Sequence, residues 1–139
     1  MIALLFKILT TKEKIMKRLI TFVILLFIVK SLISQTYTVT VYNAVPNQCS
    51  GNHLKTADGS IIDPVKVESG TIKWVAVSRD MLKNGYKYGD KIEIISTDPL
   101  ISGVYEIHDT MAKKFTKRID ILMPKRIRTG KWIVKIKKV

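Results

Sequence analysis

The stretch VYEIHDTMAKKFTKRIDILM carries two aspartates eleven residues apart, Asp109 and Asp120. Asp109 ends a run that reads as a strand. Asp120 lies inside the next apolar run, Arg118-Ile119-Asp120-Ile121-Leu122. In a strand its side chain points away from those of Ile119 and Ile121. If both isoleucines fill a core, Asp120 faces outward, to solvent or into a surface cleft. Two carboxylates at the facing ends of two strands can share such a cleft. Like-charge repulsion and desolvation then raise one pKa and keep a proton bound at neutral pH. Glycosidic cleavage needs such a proton, delivered to the leaving oxygen. The spacing fits a plainer arrangement too. In that one Asp109 caps a turn through Thr110, and Asp120 pairs with Arg118 or a lysine.

The elements that must position these residues are short strands. Thr36–Tyr42 (TYTVTVY) alternates polar and apolar residues, with β-branched and aromatic side chains throughout. A loop rich in Asn, Gly, Ser and Asp follows over Asn43–Ser60. Trp74–Ser78 reads as a central strand, and Arg79–Asn84 as a short helix or turn closed by Gly85. Lys91–Ser96, Val104–His108, Arg118–Met123 and Lys131–Lys137 complete the strands. Six or more strands divided by turn signals favour a closed barrel over an open sheet. No amphipathic helical pattern separates them, which argues against a doubly wound fold. In the last strand Trp132, Val134 and Ile136 share one face, and Ile133, Lys135 and Lys137 the other.

Residues 1–34 read differently. Lys17 and Arg18 precede an uncharged run of eleven residues, Leu19–Val29, after which Lys30 interrupts. That length suits the core of an export signal and falls short of the ~20 residues of a membrane span. The expectation is an export signal over 1–34, with Met16 as the true start, residues 1–15 as a gene-start artefact and processing near Ser34. An uncleaved membrane anchor is the other reading. The expected location is the periplasm, cell envelope or extracellular space. The working domain is then 35–139.

The 139 residues hold 24 Lys+Arg and 11 Asp+Glu, a formal net charge of +13. Residues 113–139 contribute eleven of those cations and a single acid, Asp120. An acidic partner is implied. No Walker loop, zinc finger, RNA-binding aromatic motif or recognition-helix pattern accompanies the charge, so nucleic acid is not expected. The single cysteine, Cys49, excludes a disulfide framework within the chain. Cys49, His53 and His108 show no recognised metal-ligand spacing. Trp74, Trp132, Tyr86 and Tyr88 are candidates for stacking on sugars, although core packing suits both tryptophans.

The order of motifs resembles the three-aspartate (3D) domain of bacterial cell-wall proteins. That domain also occurs in the membrane-bound lytic transglycosylase A family and is related in fold to rare lipoprotein A and expansins. The opening strand and Thr-Ala-x-Gly turn are similar to Val39-Thr40-Val41-Tyr42 and Thr56-Ala57-Asp58-Gly59. The strand before the first aspartate resembles Val75-Ala76-Val77-Ser78-Arg79-Asp80, and the next Gly89-Asp90-Lys91-Ile92-Glu93-Ile94. The second and third aspartates match His108-Asp109-Thr110 and Arg118-Ile119-Asp120-Ile121-Leu122. The resemblance covers roughly Thr38–Met123.

It implies an all-β fold, a six-stranded double-psi β-barrel with short helical turns. It implies a secreted peptidoglycan lytic transglycosylase, a lyase that needs no metal or cofactor. Asp120 is the implied acid/base, with Asp109 beside it. Asp80, Thr56, Gly59, His108, Thr110 and Arg118 are the implied substrate-binding residues. Asp120 would protonate the oxygen between N-acetylmuramic acid and N-acetylglucosamine. Its carboxylate would then take the proton of the muramoyl C6 hydroxyl, which closes a 1,6-anhydro ring. The expected partner is the peptidoglycan glycan strand. The alternative is a non-catalytic wall-binding module on the same barrel. Two departures bear on the choice. Ser78 stands where the family has its first aspartate, and Asp80 follows two residues later. After Asp109 the family's glycines are replaced by Met111-Ala112-Lys113-Lys114-Phe115-Thr116. Without glycine, that loop must take another path or accept strain.

Overall fold

The computed structural model describes residues 1–32, 35–49, 51–127 and 129–139. The chain divides into two compact units, Met1–Ser34 and Gln35–Val139. The first is one α-helix, α1 (Ile2–Leu32). Neither glycine nor proline occurs before Gly51 and Pro46, so nothing breaks the helix early. It runs through Ile15 and Met16 without interruption, and an exposed Glu13–Lys17 pair spans one turn at 2.7 Å. Among the described residues, no helix is long and apolar enough to cross a membrane.

The second unit contains β1 (Thr36–Tyr42), α2 (Pro64–Glu68), β2 (Trp74–Val77), α3 (Arg79–Lys83), β3 (Lys91–Ile95), β4 (Gly103–Thr110), β5 (Arg118–Leu122) and β6 (Lys131–Lys138). The six strands close into a barrel in the order β1-β5-β2-β4-β3-β6. The β1–β5 and β2–β4 pairs are parallel, and the other pairs are antiparallel. Advancing every strand number by three returns the same ring. The two halves of the domain therefore have equivalent topology, and the antiparallel β5–β2 pair lies at a pseudo-twofold position.

Alternation along each strand divides the barrel into an inside and an outside. Val39, Val75, Val77, Ile107, Ile119 and Ile121 are fully buried in the interior cluster. A second apolar layer covers part of the outer surface. Tyr42, Ala76 and Leu122 from the strands meet Ile62, Val67 and Met111 from the connections. The 43–73 connection is thus packed against the barrel. Asn43 anchors its start by donating through Nδ2 to the carbonyls of Met123, Pro124 and Ile127 at 2.9–3.0 Å. Asp63 caps α2, accepting from Val65 N at 2.9 Å, with Pro64 at the first helical position. This layer lets an outward-facing side chain be buried.

Candidate active site

Ala76 is the register partner of two aspartates, Asp120 on β5 and Asp109 on β4. On the far side of β5, Asp120 pairs with Thr40 of β1. One row therefore crosses four strands in the order Thr40, Asp120, Ala76, Asp109. The small Ala76 side chain leaves room between the carboxylates, whose backbones stand roughly 10 Å apart at two strand spacings.

Asp120 reaches this row by plain alternation. Ile119 and Ile121 are fully buried in the barrel, so Asp120 points out. Asp109 gets there by an irregularity. Ile107 faces inward and pairs with Val75, but the next residue of β2, Ala76, pairs with Asp109 rather than His108. The extra residue in β4 is a β-bulge, which re-aims the side chains that follow it. A regular strand would have turned Asp109 away from the row.

Asp120, Ala76 and Asp109 of this row line a cleft of about 490 Å³ whose walls also include Tyr42, Thr56 and Phe115. Thr40 donates its hydroxyl to Asp120 Oδ1 at 2.7 Å. Burial pushes the Asp120 carboxyl above its ordinary pKa, and the charge of Asp109 adds to this. The Thr40 hydrogen bond and the Arg118 charge oppose the rise without cancelling it. Burial also raises Asp109, against backbone hydrogen bonds from Thr110 and Ala57. Those two N–H groups donate to Asp109 Oδ1 at 2.8 and 3.0 Å. Asp109 thus accepts two backbone N–H groups that favour its anion, whereas Asp120 accepts a single hydroxyl. The arrangement suits Asp109 as the standing carboxylate and Asp120 as the proton carrier.

The Tyr42 hydroxyl is buried in the same cleft and has no hydrogen-bond partner among the described residues. Burial first, and then the charges of Asp109, Cys49 and Asp120, push its phenol well above the ordinary value. A buried hydroxyl without a partner is costly, and a bound polar group at this point would satisfy it. Cys49, also in the cleft wall, is a free thiol raised by burial, with Sγ 3.6 Å from Asn43 O.

Of the residues expected from the sequence, Thr56, Asp109, Thr110 and Asp120 line the cleft. Asp80, Gly59, His108 and Arg118 do not, and each of these has a supporting position instead. Asp80 Oδ2 accepts from Lys117 N at 3.0 Å. Burial alone would raise Asp80, but the Ser78 hydroxyl and the Lys117, Asp80 and Met81 N–H groups hold it below its ordinary value. Lys117, just past that loop, has φ 47°, the left-handed conformation, whereas Met111, Ala112 and Thr116 at the family's glycine positions have no positive φ, so the loop takes another path there. Gly59, at φ +92°, closes the Thr56–Gly59 turn. The Arg118 guanidinium lies over the Phe115 ring at 4.5 Å.

His108 is sandwiched between two acids. Its Nδ1 lies 2.7 Å from Asp58 Oδ2 and its Nε2 3.1 Å from Glu106 Oε1, while Trp74 packs against the ring at 4.1 Å. Asp58 also accepts from the Thr56 hydroxyl at 2.6 Å and from Ser60 N at 3.0 Å. These contacts fasten the 56–60 turn to β4, and that turn supplies the Ala57 N–H to Asp109.

Thr40, Tyr42 and Ala76 were not singled out by sequence, although alternation in TYTVTVY and WVAVS places them outward. Nothing local in the sequence pairs Asp58 with His108, which lies fifty residues away. None of the four aromatic residues considered for sugar stacking lines the cleft. Trp132 donates Nε1–H to Asp98 Oδ2 at 2.7 Å and packs on the barrel core.

No protein-family model matches the chain, and no curated protein does so either. The functional reading therefore rests on the cleft and on the order of motifs.

Proposed function

We propose that this protein is an exported lytic transglycosylase acting on peptidoglycan, with Asp120 as its acid/base and Asp109 as the carboxylate beside it. One observation carries this reading: two partly buried carboxylates flank Ala76 in a single cleft, both with raised pKa values. Protonated Asp120 gives its proton to the glycosidic oxygen as the C1–O bond breaks. The resulting carboxylate takes the proton of the C6 hydroxyl while O6 closes on C1. Asp109, whose anion the Ala57 and Thr110 N–H groups favour against the effect of burial, is the carboxylate placed to stabilise positive charge that develops at the sugar ring. The sugar is thus its own nucleophile, and no water has to be activated.

The proposed barrel type is double-psi. Its support is the interleaved strand order, with two parallel pairs exchanged by a pseudo-twofold operation at the β5–β2 junction. The proposed export follows from the basic, then apolar, composition of residues 1–34.

Digestion of purified sacculi, followed by mass spectrometry, tests the activity. Anhydromuropeptides are expected from the wild type and not from folded Asp120→Asn. Their absence from the wild type, where a known transglycosylase releases them, would overturn the reading.

A second reading, a wall-binding module without catalysis, is favoured by the 111–117 segment. Met111 is buried at a position where the 3D family carries glycine, and Phe115, four residues on, lines the cleft. Sacculus binding indifferent to Asp120→Asn, with no product from any variant, would decide for it.

A further inference from the structure

The row through the site continues past Thr40. On β6, Lys131 is the register partner of Thr40, Ile133 of Thr38 and Lys135 of Thr36. On the other edge of β1, Thr38 pairs with Arg118 and Thr40 with Asp120. Three threonines therefore run down the outer face of β1, between a lysine-bearing strand and the strand that carries Asp120. Lys131, Lys135 and Lys137 are all exposed, while Val134 between them turns into the core. None of the three forms an ion pair among the described residues, although Glu93 is the cross-strand neighbour of Lys137. At strand spacing, Lys131 to Lys137 spans roughly 20 Å, longer than one small ligand needs. The face is long, cationic and bears hydroxyls, and it adjoins the site where Thr40 pairs with Asp120.

We propose that the outer face of β6 and β1 holds the flanking stretch of the anionic glycan strand whose scissile bond lies at Asp120. Lys131, Lys135 and Lys137 pair with its carboxylates, and Thr36 and Thr38 hydrogen-bond its sugar hydroxyls. This inference rests on the reading of the cleft given above and extends it from one bond to the neighbouring repeats. A linear polymer fits the observations better than a bilayer, because the lysines lead through the register to a carboxylate in a cleft. The exposed Ile133 and Ile95 are what a bilayer would use, and the experiment includes that outcome.

The test is co-sedimentation of the full chain with purified sacculi across a salt series. The variant is Lys131→Gln/Lys135→Gln/Lys137→Gln. Its affinity is expected to fall on the order of tenfold, the combined effect of three exposed ion pairs. Its salt dependence should be flatter than that of the wild type. Sacculi with amidated carboxylates should bind the wild type as weakly as native sacculi bind the variant. Unchanged binding by the triple variant, or wild-type affinity that stays constant as salt rises, would overturn the proposal. So would equally tight binding to vesicles of phosphatidylglycerol and phosphatidylcholine at roughly 1:3, a surface anionic enough to attract a basic patch. Should the triple variant not fold by circular dichroism, the wild type on native against amidated sacculi decides alone. Lysine-dependent binding without anhydro products would mean that the catalytic reading has failed. Anhydro products with lysine-independent binding would mean that this one has.

Discussion

Thr40 donates its hydroxyl to Asp120 at 2.7 Å across the parallel β1–β5 pair, the only side-chain hydrogen bond Asp120 makes among the described residues. It favours the charged carboxylate and so opposes the effect of burial. Replacing Thr40 with valine keeps the shape and removes the donor. The Asp120 titration midpoint should move further up, and stability should fall by roughly 1 kcal/mol. Carboxyl-carbon NMR reads the midpoint directly. An unmoved midpoint would show that this hydrogen bond does not tune the acid.

Asp120→Asn should stabilise the protein at neutral pH while abolishing product release. The native pKa of Asp120 lies above its unfolded value, so the native state binds the proton more tightly. Stability from this group is therefore greatest at low pH and declines as pH rises through the native pKa. Asparagine removes that decline. The gain should be roughly 0.5–2 kcal/mol, as is common where a functional site is held at a cost to stability. Denaturation at neutral pH and again below about pH 3, where the carboxyl is protonated in both the folded and the unfolded state, checks the sign. The gain should disappear in the second measurement.

The Asp58–His108 pair is expected to behave in the opposite sense. Burial alone would raise Asp58, but hydrogen bonds from Thr56, Ser60 N–H and His108 outweigh it and hold the carboxyl low. Its contribution is present above the unfolded carboxyl pKa and is lost as pH falls through the native one. Asp58→Asn should lower stability at neutral pH by roughly 0.5–1.5 kcal/mol, the net worth of a hydrogen bond near the surface. Its acid denaturation should be correspondingly shallower. Amide exchange at Ala57, whose N–H faces Asp109, should speed up in the same variant.

Lys117 and Asp80 form a device for holding the loop. Lys117→Gly should raise stability by about 1 kcal/mol, the lower end of the cost of a left-handed residue. Asp80→Ala should lower it, since the Lys117 N–H loses its acceptor. Urea midpoints for the two single variants and the double variant measure the coupling. Additive effects would show that Asp80 does not hold the Lys117 conformation.

The strands were legible because alternation is a local property. TYTVTVY, KIEII and RIDIL announce their period within a few residues, and the structure has strands at all three. The outward direction of Asp120 followed from the same rule. The direction of Asp109 did not. It depends on a bulge opposite Val75 and Ala76, which strand pairing creates and no short window records. The same is true of Asp58 and His108, brought together across fifty residues by a docked turn.

By itself, then, the sequence determined an all-β domain after residue 34, an inward and an outward face for the regular strands, and the outward direction of Asp120. Tertiary structure decided that β2 would stand between β4 and β5, with Ala76 facing both aspartates. It also decided that a packed connection would cover them. The physical reason is that side-chain direction is set by neighbouring backbone geometry, whereas burial of an outward-facing carboxylate requires a second layer. That layer comes from Ile62, Val67 and Met111, which lie between the strands, Val67 on the short helix α2. Only when they pack against the barrel do Asp109 and Asp120 lose enough water to change their chemistry.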